Sequence, residues 1–172
     1  MIHTLWLTGL SGAGKSTLAQ ALQHTLQQAG RRVIVLDGDD MRRGLCSDLG
    51  FSAADRRENI RRVAEVARLL NRSGCIAIAA LISPKAQDRD DARTIIGAQA
   101  MLEVHVSTPL TVCEARDPKG LYERARRGAL ADFTGVSAPY DAPLAPALAL
   151  DTSLLTLADC VQRILPLLRI SP

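Results

Sequence analysis

"GLSGAGKST", Gly9 to Thr17, follows the apolar run "HTLWLT" and leads directly into an amphipathic stretch. Gly-x-x-x-x-Gly-Lys-Ser is satisfied at every specified position, the pattern of a phosphate-holding P-loop between a strand and a helix. Its glycines let successive backbone N–H groups turn toward one anion at a helix N-terminus. Lys15 can reach the outer phosphates of a nucleotide, and the Ser16 hydroxyl can ligate magnesium. Leu18, Ala21, Leu22, Leu26 and Ala29 recur at spacings of three and four, which predicts the helix. A ligand-free Gly/Ser turn would explain the glycines, but not the full pattern together with its flanking strand and helix.

Beyond this loop, strands and helices alternate. "RRVIVLDGDD" reads as a buried strand ending in acidic residues, and a long helix is expected from about Ala53 to Arg72. "GCIAIAALIS" is the next strand, a helix follows from about Lys85, and "MLEVHVST" is a further strand. The closing stretch "LLTLADCVQRILPLL" predicts a helix with Leu157, Val161, Ile164, Leu165 and Leu168 on one face. This alternation argues for one α/β domain over residues 1–172, a parallel sheet with helices on both faces. In such a sheet the site lies at the carboxyl ends of the strands, where the P-loop, "DGDD" and "ISP" fall. One segment breaks the pattern. "ALADFTGVSAPYDAPLAPAL", about Ala129 to Leu148, holds Pro139, Pro143 and Pro146, has no clear period, and is read as a closing loop.

The net charge of +3 and a pI near 8.9 suit an anionic ligand. With aromatics at 3% there is little to stack on bases, and no nucleic-acid-binding motif appears, so nucleic acid is set aside. No apolar run is long enough to cross a bilayer and no signal peptide is evident, which places the expectation in the cytoplasm without membrane contact. Cys46, Cys75, Cys113 and Cys160 are widely spaced with no C-x-x-C pair, as expected of reduced thiols. His3, His24 and His105 are scattered, which argues against a zinc site.

Three stretches select the acceptor. In "DGDDMRRGL", Asp37 ends the second strand beside the P-loop, where a carboxylate can hold magnesium through water or accept a proton from an attacking hydroxyl. Asp39 suits a helix-capping role, and Arg42 lies one turn into the following helix. In "LGFSAADRRENIRR", Ser52 is an N-cap, and Ile60, Val63, Ala64, Ala67 and Leu70 form the buried stripe. Arg56 and Asn59 fall four residues before Ile60 and Val63, on the inward side, whereas Arg57 and Arg61 suit a solvated face. "EARDPKGLYERARRG" places Arg116, Lys119, Arg124, Arg126 and Arg127 around a Pro-Lys-Gly turn, the composition of a lid that excludes water from a transferring phosphate. No guanine-reading "NKxD" stretch is present, which argues against a GTPase.

"GLSGAGKST", "DGDxxRxGL", "LGFSxxDRxENIRR", "ISP", "EARDPKGLYxxAR" and "FTG…PY" occur here in an order that resembles the adenylylsulfate (APS) kinases, from about Leu5 to Tyr140. The resemblance implies a three-layer P-loop kinase fold with a lid and closing loop at about residues 116–148. It implies transfer of the γ-phosphate of ATP to the 3′-hydroxyl of adenosine 5′-phosphosulfate in sulfate assimilation, with magnesium as cofactor. Carried over by motif, Gly9, Leu10, Ser11, Gly12, Ala13, Gly14, Lys15, Ser16 and Thr17 would hold ATP, and Ser16 and Asp37 the metal. Arg42, Phe51, Arg56, Asn59, Ile82, Ser83, Lys119 and Phe133 would hold APS, the two phenylalanines as faces for its adenine. Lys15, Asp37 and Ser83 are the catalytic candidates. Family members also form homodimers or associate with ATP sulfurylase. Ser83 has been viewed in the family as a phosphoserine intermediate. No base is evident near it, and phosphoryl transfer needs chiefly in-line positioning and charge neutralisation, so direct transfer is expected. Departures from the family pattern are Asp40 where Asn is usual, and Lys85 where an aromatic is common. Two other readings compete: a P-loop kinase of another small alcohol, such as gluconate or a nucleoside monophosphate, and a non-catalytic product sensor. The intact Gly14, Lys15 and Ser16 weigh against the sensor.

Overall fold

The computed structural model describes residues 2–168, so both ends of the domain expected over 1–172 lie outside the described residues. Five parallel strands form one sheet in the order β2-β3-β1-β4-β5. These are β1 Thr4–Thr8, β2 Val33–Asp37, β3 Ile76–Ala80, β4 Met101–Val106 and β5 Leu148–Leu150. The helices are α1 Lys15–Gln28, α2 Gly38–Arg43, α3 Ala53–Arg72, α4 Ala86–Ile96, α5 Leu110–Arg116, α6 Leu121–Arg126 and α7 Leu157–Ile164, the last continuing as a 3₁₀ turn through Leu168.

The central strand β1 is buried on both faces, and alternation along it serves two cores. Leu5 and Leu7 pack with Leu18, Leu22 and Leu26 of α1 and with Cys160, Val161 and Ile164 of α7. Trp6, pointing the other way, packs with Ile60, Val63, Ala64 and Ala67 of α3 and with Ala92 and Ile96 of α4. The three layers follow from this pattern: each face of the sheet is apolar, and α1 and α7 on one side and α3 and α4 on the other supply the apolar stripes that cover it. Ser52 caps α3 as expected, its side chain accepting from the Asp55 N–H.

Four details differ from the sequence reading. The short strand β5 was not foreseen; three residues of a Pro-flanked "LAL" carry no period of their own, and they become a strand only by pairing with β4. The last helix begins at Leu157 rather than Leu154, because Thr156 and Asp159 close a capping box there, and this leaves Leu157 43% exposed. On α1 the buried small residue is Ala19, while Ala29 lies past the helix end and is exposed. β3 stops at Ala80, so Ser83 sits in the turn beyond it and not at its last position.

Candidate active site

A cleft of about 1090 Å³ opens at the carboxyl ends of the strands. One bank is the P-loop. Gly14 adopts a left-handed conformation (φ 99°) as the N-cap of α1, a geometry that favours glycine. Gly9 is required by packing, since a Cβ there would stand 2.4 Å from the Val106 carbonyl oxygen. Ser11, Gly12, Gly14, Lys15, Ser16 and Thr17 line the cleft. Gly9, Leu10 and Ala13 do not; they shape the loop from behind. The carbonyls of Gly9 and Leu10 accept from Lys15 Nζ at 2.9 and 2.7 Å, and the Ala13 carbonyl accepts from Thr108 and Thr152. Burial lowers the Lys15 ammonium to a pKa of about 8, because the cost of removing its charge from water outweighs the pull of the nearby Asp37 and Asp39 carboxylates.

At the mouth of the cleft the Ser16 hydroxyl donates to Asp37 at 2.5 Å. Asp37 is also the N-cap of α2, accepting from the Asp39 N–H at 2.9 Å. The capping role expected of Asp39 therefore belongs to Asp37. Asp39 instead pairs with Lys119, which brings the turn between α5 and α6 over the cleft. A hydroxyl and a carboxylate held together beside a phosphate-binding loop are hard oxygen donors of the kind magnesium takes.

The opposite bank carries Arg42, Phe51, Arg56, Asn59, Ile82, Ser83 and Phe133, all lining the cleft. The Arg42 guanidinium stands 4.3 Å from the Phe51 ring centroid and that of Arg56 stands 5.6 Å away. Both also hold the loop that presents this ring: Arg42 donates to the Gly50 carbonyl at 2.7 Å and Arg56 to that of Phe51 at 2.9 Å. Partial burial lowers the pKa of both guanidiniums, Arg56 being further lowered by the neighbouring Arg42. The two phenylalanines differ: Phe51 is 60% exposed, whereas Phe133 is buried edge-on against Tyr122 with centroids 5.0 Å apart. Asn59 is buried with its Oδ1 unpartnered in the cleft wall, an arrangement that asks for a ligand's donor.

The Ser83 hydroxyl is buried and accepts from the Trp6 indole N–H at 3.1 Å. The backbone of Ser83 lies at φ 39°, in the left-handed region. Asp40 and Lys85 do not line the cleft, and both are exposed; Asp40 pairs with Arg43 at 3.2 Å. Their departures from the family pattern therefore fall on the surface.

Three site residues escaped the sequence reading. Thr134, in "FTG", lines the cleft with its buried hydroxyl unpartnered. Tyr122 is buried, and its hydroxyl donates to the Ser11 carbonyl at 2.9 Å, anchoring α6 on the P-loop. Thr152 bonds Ala13 and accepts from Arg116. The motif already carried the signal for Thr134, but nothing marked Thr152 once β5 was missed.

A family model described as adenylylsulphate kinase matches residues 1–151. The adenylyl-sulfate kinase of Shewanella amazonensis is 58% identical over 149 residues, covering 87% of this chain and 75% of that protein. Among solved structures, the APS kinase of Mycobacterium tuberculosis in complex with AMPPNP and APS superposes with a TM-score of 0.94 at 43% identity, over 98% of both chains. The hexameric APS kinase of Thiobacillus denitrificans superposes with a TM-score of 0.71 at 40% identity, over 95% of this chain and 28% of that one.

Proposed function

The chain belongs to the adenylylsulphate kinase family, and we propose that the two banks of its cleft divide the work of the reaction. It moves the γ-phosphate of ATP to the 3′-hydroxyl of adenosine 5′-phosphosulfate, giving 3′-phosphoadenosine 5′-phosphosulfate. On the P-loop bank, the N–H groups from Ser11 to Thr17 hold the donor phosphates. Lys15, released from the Gly9 and Leu10 carbonyls, follows the charge that develops as the β–γ bond breaks. Ser16 and Asp37 supply the oxygens for magnesium, which when bound neutralises the triphosphate charge.

On the other bank, Arg42 and Arg56 address the phosphosulfate with charge-assisted hydrogen bonds, each contributing on the order of 1.5–3 kcal/mol. Asn59 offers its free oxygen to the acceptor, and Phe51 and Phe133 receive its adenine. Lys119 and the α5–α6 turn close over the top and exclude water. Ser83 positions the acceptor through its backbone, with its hydroxyl engaged by Trp6. Transfer is direct, since no side chain is placed to activate Ser83. Self-association belongs to the same reading, supported by the hexameric relative. An ATP sulfurylase partner and a cytoplasmic location complete it as expectations of the family resemblance; among the described residues no helix is long and apolar enough to cross a membrane.

The observation that carries this assignment of roles is that a P-loop and an Arg42–Phe51–Arg56 cluster face one cleft of about 1090 Å³, more than one drug-sized ligand occupies. Labelled ATP with magnesium, offered APS, AMP and gluconate side by side, tests it. Strong preference for APS is expected, and equal kcat/KM for AMP and APS would overturn the assignment of the arginines to the sulfate end.

A further inference from the structure

Arg89, on α4, lies outside the cleft and outside every motif assigned to substrate, yet it is 3% exposed. Its guanidinium makes three separate bonds. Nε donates to Glu103 of β4 at 2.8 Å, Nη1 to the Ser83 carbonyl at 2.9 Å, and Nη2 to the Asp141 carbonyl at 2.7 Å. Glu103 is itself buried and neutralises Arg89; it also takes a second arginine, the partly exposed Arg93, at 3.0 Å.

The two carbonyls belong to segments that form the acceptor bank. Ser83 holds a left-handed backbone at φ 39°, a conformation that a residue with a side chain keeps only when its surroundings impose it. Asp141 closes the loop that carries Phe133 and Thr134. That loop is clasped to the Ser83 turn at further points. The Asp141 N–H donates to the Pro84 carbonyl at 2.8 Å, and the Asp141 carboxylate accepts from the Ala86 N–H at 3.2 Å. Next to it, the Tyr140 hydroxyl meets Thr8 at 2.9 Å while its ring stacks on His105 with centroids 5.7 Å apart. Thr8 in turn donates to the Ile82 carbonyl at 2.7 Å.

We propose that Arg89 is a positioning residue for the acceptor: one buried guanidinium fixes the Ile82–Ser83 turn and the Phe133–Thr134 loop relative to each other, and so sets the APS side of the cleft. The inference rests on the assignment of that bank to APS. Lysine cannot replace this device, because a single ammonium cannot reach two carbonyls and a carboxylate in one plane. Tyr140 acts in the same clasp from the side facing Thr8.

Arg89→Met, Arg89→Lys and Tyr140→Phe test it, with KM measured separately for APS and ATP and with hydrogen exchange of both segments. Displacement of the acceptor bank by an ångström or so predicts a loss of about 10–100-fold in kcat/KM in the arginine variants. The loss should appear chiefly as a raised KM for APS with KM for ATP within about twofold. Amides of residues 82–86 and 129–148 should lose protection together. Arg89→Lys should not restore the APS KM, and Tyr140→Phe, which keeps the buried ion pair, should show the same split at smaller size. Where Arg89→Met does not fold, the other two variants decide. Equal changes in both KM values, or an unchanged APS KM in Arg89→Lys and Tyr140→Phe, would overturn the proposal. A wild-type protein that uses APS while the variants behave so overturns this inference alone; a wild-type protein that does not use APS overturns the substrate reading beneath it as well.

Discussion

Ser16 and Asp37 are joined by a 2.5 Å hydrogen bond that ties the first turn of α1 to the end of β2. Asp37 spends its other oxygen on the Asp39 N–H at the start of α2, so one carboxylate serves both a helix cap and the mouth of the cleft.

The two roles separate under substitution. Asn caps helices about as well as Asp, so Asp37→Asn should leave stability within about 0.5 kcal/mol while removing the charge and an oxygen donor. We expect kcat at saturating magnesium to fall by about 10²-fold or more. Asp37→Ala should lose the cap too, for about 1 kcal/mol of stability. Steady-state kinetics beside thermal melts check both, and near-normal kcat in Asp37→Asn would reduce Asp37 to a structural cap.

Lys15 predicts a pH dependence of both stability and nucleotide binding. Its pKa falls from 10.5 to about 8 in the folded protein, chiefly through burial. Between those values the unfolded chain binds more protons than the native one, so stability rises with pH over that window. The burden of holding a buried ammonium is fully present below about 8 and is relieved as pH climbs toward 10.5. ATP restores a charge partner and raises the pKa again, so binding near pH 8–9 should take up a proton. Calorimetry in buffers of different ionisation heat would show that uptake in wild type and not in Lys15→Met. Proton-neutral binding in both would place Lys15 away from the phosphates.

Much of this was legible beforehand, because the features that fix it are local. The strand, the glycines at forced backbone angles and the periodic helix after them are contiguous, so the P-loop is written in a single run of residues. The same holds for Ser52 and the α3 stripe. What escaped depends on partners distant in sequence. β5 exists by pairing with β4, and Thr152 matters because the P-loop lies against it. Ser83 was placed at the correct end of the sheet, but its hydroxyl turned toward Trp6, a choice set by core packing 77 residues away in sequence.

Closure of the lid makes a local prediction. Tyr122 is pinned to Ser11, and the Asp117 carboxylate holds the N–H groups of Tyr122 and Glu123 at 3.1 and 3.0 Å. The turn from Asp117 to Leu121 is held over the cleft chiefly by the exposed pair of Lys119 with Asp39, and such pairs are weak. Hydrogen exchange should therefore be fast at 117–121 in the free protein and slow with ADP and APS bound, with smaller change at 122–126. The loop carrying Phe133 should gain protection in the same complex. Unchanged protection in both segments would exclude a lid.

Ser83→Ala distinguishes direct transfer from a covalent route. A phosphoserine mechanism needs the hydroxyl free, close to the γ-phosphate and served by a base. In the structure the hydroxyl is buried and accepts from the Trp6 indole at 3.1 Å, and the backbone at φ 39° is held by Thr8 and Arg89 through its carbonyl. Alanine keeps those backbone bonds and removes only the indole's acceptor. An unsatisfied buried N–H costs about 1–3 kcal/mol, so the variant should melt measurably lower. Its turnover should stay within about 10–100-fold of wild type, the scale expected where the turn loosens at Trp6 while its backbone bonds persist. Phosphorylation of Ser83 in wild type, where found, would be a side reaction and should not form and decay fast enough to match kcat. Complete loss of transfer in Ser83→Ala, with APS binding unchanged, would instead establish the serine as the carrier of the phosphoryl group.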